Sequence, residues 1–470
     1  MTGEMDKRVR QLRLVVEAED FAEAVAFYRD VLGLPEEAAF TGDGDARVVI
    51  LDAGRATLEI ANPAQKRMID EVEVGRQVAR RIRVAFEVDD AVARTEEATA
   101  AGAVELAPPT RTPWDSLNAR LEAPAGLQIT LFQELGADLG WMRGALHVSN
   151  GDSTDLAGTG LAERILYWRD SLHEGPVPAV GDEELRRIRA EFLSRAGVDD
   201  RAEGAAMFAE RDRVLTAGRD GEYVLWFEAD LYDQLQIIQI LDRLAGLGVP
   251  AQRITLICIG EHAGIARFGG LGQLTAAQLR ELPATNACIR LTPAALELAT
   301  RAWAAFRAPT PDGLRAIVDA NSAELRFLGE AFDRLSREYP ATRDGLSLAE
   351  RRILAAVAAG ASDAGTAFVR AAARETRPYL GDSWSFAMMD RMAHGSVPLL
   401  ETEPADRPVD RSTGLRLTEA GAQVLAGAAD QVALNGIDRW VGGVHLSGRH
   451  VPLRWDDGTE NIVRSVDETA

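Results

Sequence analysis

Along residues 10–135 the spacing of apolar and polar positions changes period in the same order twice. Strand-like segments at Leu12–Glu17 and Ile82–Val88 each run into an acidic position, Asp20 or Asp90. Apolar residues then take helical spacing, through Phe21, Val25, Phe27, Tyr28 and Leu32 in the first round. This predicts helices over Phe21–Leu32 and Ala91–Ala101, each buried along one face. Gly33 and Gly102 follow at the left-handed C-cap position. Strands resume at Val48–Leu51, Ala56–Ile60, Ala119–Glu122 and Leu127–Phe132, across turns at Asp52-Ala53-Gly54 and Ala123-Pro124-Ala125-Gly126. The pattern is βαβββ written twice.

Past residue 144 the rhythm changes. Nearly continuous apolar runs at Ala145–Ser149, Arg164–Trp168, Tyr223–Phe227 and Ile254–Ile259 alternate with helical stretches at Glu183–Ala196, Ala202–Ala217, Leu231–Leu247 and Ala276–Leu282. Such runs separated by helices predict a parallel, mostly buried sheet. From about residue 290 the chain reads as mainly helical, with helices at Ala294–Phe306, Pro311–Phe332, Leu348–Ala359 and Thr418–Ala428. The stretch Ser383–Glu401 followed by Leu415–Gly421 is similar to a winged-helix pattern. The fold class is therefore α+β and α/β multidomain. Three domains are expected: 1–138, 141–290 with a polar strand-end rim, and 291–470.

Composition narrows the chemistry. The chain has 470 residues with a formal charge of −21, which disfavours a nucleic-acid or anionic-membrane surface. No apolar run reaches the ~18 residues of a membrane helix, and the charged amino terminus lacks a signal-peptide core, so a cytoplasmic location is expected. Two cysteines, Cys258 and Cys288, do not make a disulfide framework. Lys7 and Lys66 are the only lysines; every other basic residue is arginine. A Walker phosphate loop or a Schiff-base site beyond residue 66 is thereby excluded. Histidine first occurs at position 147, so residues 1–146 offer no soft metal ligand.

In the second region each predicted strand ends in a polar cluster. These are Asn150-Gly151-Asp152-Ser153; Asp170-Ser171-Leu172-His173-Glu174; Glu228-Ala229-Asp230-Leu231-Tyr232-Asp233; and Gly260-Glu261-His262. In open parallel sheets ligands bind beyond the carboxyl ends of strands, so parallel strands would bring the clusters to one rim. Each has a plainer reading: a capped turn at Asn150–Ser153, a surface pair between Asp170 and Arg169 or Arg164, and first-turn acids complementing a helix dipole at Glu228, Asp230 and Asp233.

Two resemblances add to this. The string Asp20-Phe21 through Ala26-Phe27-Tyr28-Arg29-Asp30-Val31-Leu32-Gly33-Leu34, with the later Pro124-Ala125-Gly126-Leu127-Gln128-Ile129, resembles the glyoxalase/bleomycin-resistance/extradiol-dioxygenase proteins of the vicinal oxygen chelate superfamily. The resemblance implies paired βαβββ modules around a small-molecule cleft. Positions matching that family's metal ligands are Arg13, Glu59, Arg83 and Thr130, and a lone carboxylate makes no metal site. Glyoxalase or dioxygenase activity is therefore not expected, nor is a metal in this module. Arg13 and Arg83 are candidates for an anionic ligand or for pairing with local acids. Residues 143–460 resemble a bacterial family described as a domain of unknown function, through the strand-end strings above and Asn435-Gly436-Ile437-Asp438-Arg439-Trp440. That resemblance carries no activity.

Candidate catalytic residues are thus Asp152, Asp170, His173, Glu174 and His147. Candidate substrate-binding residues are Asn150, Gly151, Ser153, Glu228, Asp230, Asp233, Arg13, Glu59 and Arg83. Crowded carboxylates either raise their pKa values or recruit a hard cation such as Mg²⁺. Gly151-Asp152-Ser153 resembles the nucleophile block of GDS-type esterases, and Asp170-Ser171-Leu172-His173 has their Asp-x-x-His spacing, although those enzymes carry it near the end of the domain and here it follows within about seventeen residues. The expected functions are a hydrolase or transferase coupled to a ligand-binding module, a non-catalytic small-molecule sequestration or sensing protein, or a transcription-associated protein. A small-molecule ligand is the expected partner, with no membrane, and a homodimer is left open.

Overall fold

The computed structural model describes residues 9–26, 29, 34–42, 45–52, 57–78, 82–88, 90–113, 116–123, 127–135, 139–196 and 201–464. The chain divides into two compact units, Met1–Asp138 and Leu139–Ala470.

The first unit is one eight-stranded sheet. Its elements are β1 (Val9–Glu17), α1 (Phe21–Val25), β2 (Glu36–Gly42), β3 (Ala46–Asp52), β4 (Thr57–Ala61), α2 (Pro63–Val74), β5 (Ile82–Val88), α3 (Ala91–Ala100), β6 (Val104–Arg111), β7 (Ser116–Ala123) and β8 (Leu127–Glu134). The order β2-β3-β4-β1-β5-β8-β7-β6 sets two βαβββ modules side by side, with β1 and β5 antiparallel at the join. Tyr28, Leu32 and Gly33, the end of the expected first helix, lie outside the described residues.

Strands β2 and β6 and helix α2 had no counterpart in the sequence reading. The exposed β2 lacks the alternation that marks a half-buried strand, and Pro108 and Pro109 break up β6. The limits of α2 are conventional: the Asn62 side chain accepts from Gln65 N, Pro63 opens the helix, and Gly75 closes it at φ 72°.

In the second unit β9 (Leu146–Ser149), β10 (Arg164–Tyr167), β11 (Tyr223–Glu228), β12 (Ile254–Ile259) and β13 (Cys288–Arg290) form a sheet of order β10-β9-β11-β12-β13. The first four are parallel, and the short edge strand β13 is antiparallel. Around and after it lie α4 (Asp182–Arg195), α5 (Arg201–Ala217), α6 (Leu231–Gly246), α7 (Ala276–Glu281) and α8 (Pro293–Arg307). Further along are α9 (Leu314–Val318), α10 (Leu328–Ser336), α11 (Leu348–Ala358), α12 (Ala364–Ala372) and α13 (Asp382–Ala393). The hairpin β14 (Leu400–Glu403) and β15 (Gly414–Leu417) precedes α14 (Glu419–Leu425) and α15 (Gln431–Asn435). Two hairpins close the chain: β16 (Ile437–Val441) with β17 (Val444–Gly448), and β18 (Leu453–Asp456) with β19 (Asn461–Arg464).

Two expectations change here. The single helix expected over Pro311–Phe332 is two helices, α9 and α10, because residues 319–327 leave the helical path. The part after residue 290 is mainly helical as far as Asn435, apart from the β14–β15 hairpin, and then turns to hairpins. The main apolar cluster of this unit runs from Leu146 to Trp455, so the division expected at residue 290 passes through it. A second cluster, Leu346 to Val424, joins α11, α12 and α13 to the β14–β15 hairpin.

Helix α6 ties the rim to the core. Leu235, Ile237, Ile238, Ile240, Leu241 and Leu244 are all buried, at about 1.5–3 kcal/mol for each such side chain removed from water. A helix so enclosed must also satisfy its polar groups. Gln234 donates to Glu228 O at 2.8 Å and Gln236 to Asp170 O at 3.1 Å, while Gln239 accepts from Trp168 Nε1 at 2.8 Å. Three glutamines thereby fix the carboxyl ends of β10 and β11 to one helix.

Candidate functional site

Because β9, β10, β11 and β12 are parallel, their polar ends do share a rim. The most tightly connected group follows β11. Asp233, fully buried, accepts from Asn150 Nδ2 at 2.8 Å through one oxygen and from Glu228 N at 2.6 Å through the other. Asp230 caps α6 by accepting from Asp233 N at 3.0 Å. Glu228 Oε1 accepts from Leu271 N at 2.6 Å. Beside it Gly270 has φ 144°, and a Cβ there would come within 2.7 Å of both Glu228 oxygens. The loop after β12 therefore folds over Glu228, and the glycine is what lets it approach.

Among the described residues, no arginine lies within 4 Å of Glu228, Asp230 or Asp233. Burial and the neighbouring Asp230 push Glu228 up to about 8. Burial pushes Asp230 up to about 6, against hydrogen bonds from the backbone of Asp233 and Tyr232 and the more distant charge of Arg377. Asp233 is raised by burial and by both neighbours. Three neighbouring carboxyls, Asp233 buried and Glu228 and Asp230 half-buried, are thus shifted towards their protonated forms.

The loop after β10 supplies His173 and Glu174. His173 is 8% exposed, and neither ring nitrogen has a hydrogen-bond partner. Tyr232, Tyr379 and Trp384 stand edge-on around it, with ring centroids 5.6, 5.3 and 6.5 Å away. Burial first, then the Arg189 charge, pulls His173 down to about 3, so the ring is neutral across the physiological range. Glu174 is buried and raised by that burial, with Arg439 Nη2 at 3.8 Å restraining the shift. Arg439, on β16, also binds Glu338 together with Arg334.

Other sequence candidates have structural duties. Both Asp170 oxygens accept from the buried Arg189 of α4, which also donates to the carbonyls of Ser171 and Glu174. Asp170 is thus a brace for the loop. It makes no hydrogen bond to His173, so the Ser153–His173–Asp170 relay does not form. Asp152 points outward, 74% exposed, and pairs with Arg169 rather than with the rim. Gly151 lies in the turn after β9, where a Cβ would meet nothing within 4 Å. Ser153 packs against Gly272 of the loop that covers Glu228. His147 is a core residue: Nε2 faces Met142 O at 2.9 Å, and Nδ1 accepts from Trp226 Nε1 at 2.9 Å. Neither His147 nitrogen is left for chemistry. His262 stands apart, in an isolated bridge with Ile265 after β12.

The residues do not fit Mg²⁺. Asp233 has committed both oxygens internally, and among the described residues no group of three His, Cys, Asp or Glu is arranged to hold a metal ion.

In the first unit, strand register places Arg13, Glu59, Arg83 and Thr130 on one sheet face, with Arg120 of β7. Arg13 pairs with Glu59 at 3.1 Å and lies 5.0 Å from the Phe132 ring centroid. Local pairing therefore accounts for both Arg13 and Glu59. Arg120, wholly buried, binds Asp70 at 3.3 Å and Glu73, both carried by α2. Asn118 donates to Glu73 at 2.8 Å. Arg83 is half-buried and has neither ion pair nor hydrogen bond among the described residues, and its Nε is buried without a partner.

Sequence reasoning missed Arg189, Arg334, Tyr379 and Trp384, which come from three helices and the loop before α13; Arg439 stood in a string it named, without its partner Glu338. Trp384 lies on α13, the helix that would enter a DNA groove in a winged-helix reader. Here it stacks on Phe192 at 5.7 Å and faces His173.

Comparison with known proteins locates one similarity. Residues 13–132 match the family model described as a glyoxalase-like domain, so the vicinal-oxygen-chelate resemblance holds there. The methylmalonyl-CoA epimerase of Mycobacterium tuberculosis is 18% identical over 27% of this chain and 89% of its own, with a TM-score of 0.22. A glyoxalase/bleomycin resistance protein/dioxygenase superfamily member from Vibrio splendidus is 13% identical over 26% of this chain and 97% of its own, with a TM-score of 0.18. No curated protein gives a significant match. Among the described residues, no helix is long and apolar enough to cross a membrane.

Proposed function

We propose that this chain, whose residues 13–132 match a glyoxalase-like domain, joins a small-molecule-binding module to a hydrolase or transferase working by acid–base catalysis. The observation that carries the reading is the carboxyl trio Glu228, Asp230 and Asp233, which has no arginine partner among the described residues in a protein that pairs its other buried acids with arginine. Groups raised to about 8 and about 6 straddle neutral pH. The interacting pair Glu228 and Asp230 then holds a proton to give and an ionised oxygen to receive one near neutral pH, the division of labour that acid–base catalysis requires.

His173 supports the same reading as a neutral imidazole, able to donate one hydrogen bond and accept another from a bound molecule. Asp233 and Asn150 hold the trio in place rather than react. The winged-helix-like segment serves as packing, with Trp384 walling the His173 site. In the first unit Arg83 is the residue assigned to meet an anionic ligand.

The test is a panel of chromogenic ester, phosphomonoester and phosphodiester substrates on the full chain. Turnover of at least one is expected, falling 100-fold or more in Glu228→Gln and in Asp230→Asn while the thermal transition persists. Equal turnover in both variants and the parent would remove the trio from the chemistry.

A further inference from the structure

Beyond the carboxyl end of β11 opens a cavity of about 240 Å³, bordered by Ala229 and Leu231, the residues either side of Asp230. Arg334, Arg337, Arg352 and Arg377 line it, against the acids Glu330, Asp333 and Glu375, so arginine outnumbers acid by one. Those acids are already engaged. Glu375 accepts from Arg334 at 2.8 Å and pairs with Arg352, Asp333 accepts from Arg337 at 2.9 Å, and Glu330 accepts from Arg377 at 3.2 Å.

Three of the guanidinium groups also lie against aromatic rings: Arg334 on Tyr379 at 5.0 Å, Arg337 on Trp455 at 5.0 Å and Arg377 on Phe327 at 4.9 Å. Stacking fixes the plane of a guanidinium and leaves its edge donors free to bind in pairs. Arg337 Nη1 and Arg377 Nη2 donate no hydrogen bond within the protein, among the described residues. The cavity adjoins the centre above at two points: Ala229 and Leu231 flank Asp230, and Arg334 in its wall lies on the same Tyr379 that stands beside His173.

We propose that this cavity binds the oxyanion group, phosphate or carboxylate, of a small-molecule substrate whose reacting part reaches Asp230 and Glu228. The inference rests on the acid–base reading of the rim and names the substrate class for it. Bidentate donation from preorganised arginines suits either oxyanion. The excess positive charge offsets the anion as water is displaced.

Calorimetric titration of the full chain at low ionic strength, with inorganic phosphate in one arm and acetate in the other, tests it. Saturable one-site binding of at least one anion is expected, and the tighter arm assigns the group. Arg337→Gln and Arg377→Gln should each weaken it about tenfold or more, and Asp333→Asn, which removes a half-exposed acid and needs no buried arginine left unpaired, should tighten it severalfold. Glu228→Gln should leave anion affinity unchanged. No saturable binding of either anion to the parent chain overturns the proposal, as does undiminished affinity in both arginine variants. If an arginine variant fails to fold, an unchanged affinity in Asp333→Asn overturns it. Anion binding that passes these tests, with turnover indifferent to Glu228→Gln, would sink the acid–base reading and leave the oxyanion site standing.

Discussion

The two units each place charge out of water, and they settle it in opposite ways. On the polar face of the first, Arg120 meets Asp70 and Glu73, all three at most 4% exposed, and α2 brings both acids to it. At the rim of the second, Glu228, Asp230 and Asp233 gather with no arginine within 4 Å among the described residues, although Asp170, Glu338 and Asp344 of the same unit all have one. A buried ion group closed on itself holds structure together. One without an arginine in contact costs stability and shifts its carboxyls towards their protonated forms.

The comparison breaks most visibly at the closed cluster. Arg120→Met takes the guanidinium from two buried carboxylates, leaving Glu73 with Asn118 and Asp70 with Val78 N, and should cost the first unit about 4 kcal/mol, read as a shift in its chemical-denaturation midpoint. Asp170→Asn, which leaves Arg189 buried opposite a neutral amide, should cost the second unit about 3 kcal/mol by the same measurement.

The open cluster should respond to pH instead. Folded Glu228 keeps a proton that the unfolded chain releases near 4.5, so its contribution is whole below 4.5 and is lost as pH rises towards about 8. The slope is at most about 1.4 kcal/mol per pH unit for one proton, and Glu228→Gln should flatten it. His173 acts with the other sign. Its folded value of about 3 lies below the ordinary 6.5, so its contribution is present above 6.5 and is lost as pH falls towards 3. His173→Asn should flatten that acid limb in a pH series of unfolding free energies.

The smallest effect belongs to Asp152. Its exposed pair with Arg169 predicts no measurable change in stability or turnover for Asp152→Ala.

Asp152 and Asp230 also mark how far the sequence could be read. Both are acids just past an apolar strand, and only the fold turns one outward and sets the other at the head of a buried helix. The four parallel strands were legible because β9, β11 and β12 are buried on both faces and so appear as unbroken apolar runs. Arginine pairing was not legible: Arg189 reaches Asp170 across 19 residues and Arg439 reaches Glu338 across 101. Helix α2 did leave a signal, the Asn62-Pro63 start and the Gly75 stop, around the helical spacing of Ala64, Met68 and Val72. It buries Asp70 and Glu73, so its inward face looks in sequence like a solvated one.

Carboxyl carbon titration by NMR, following Glu228 and Asp230 in the intact chain, addresses the uncompensated trio most directly. The account predicts midpoints near 8 and near 6, with the Glu228 midpoint falling when Asp230 is replaced by Asn. Both carboxyls titrating below 5 would contradict it, because the trio would then be ionised at neutral pH and hold no proton for catalysis.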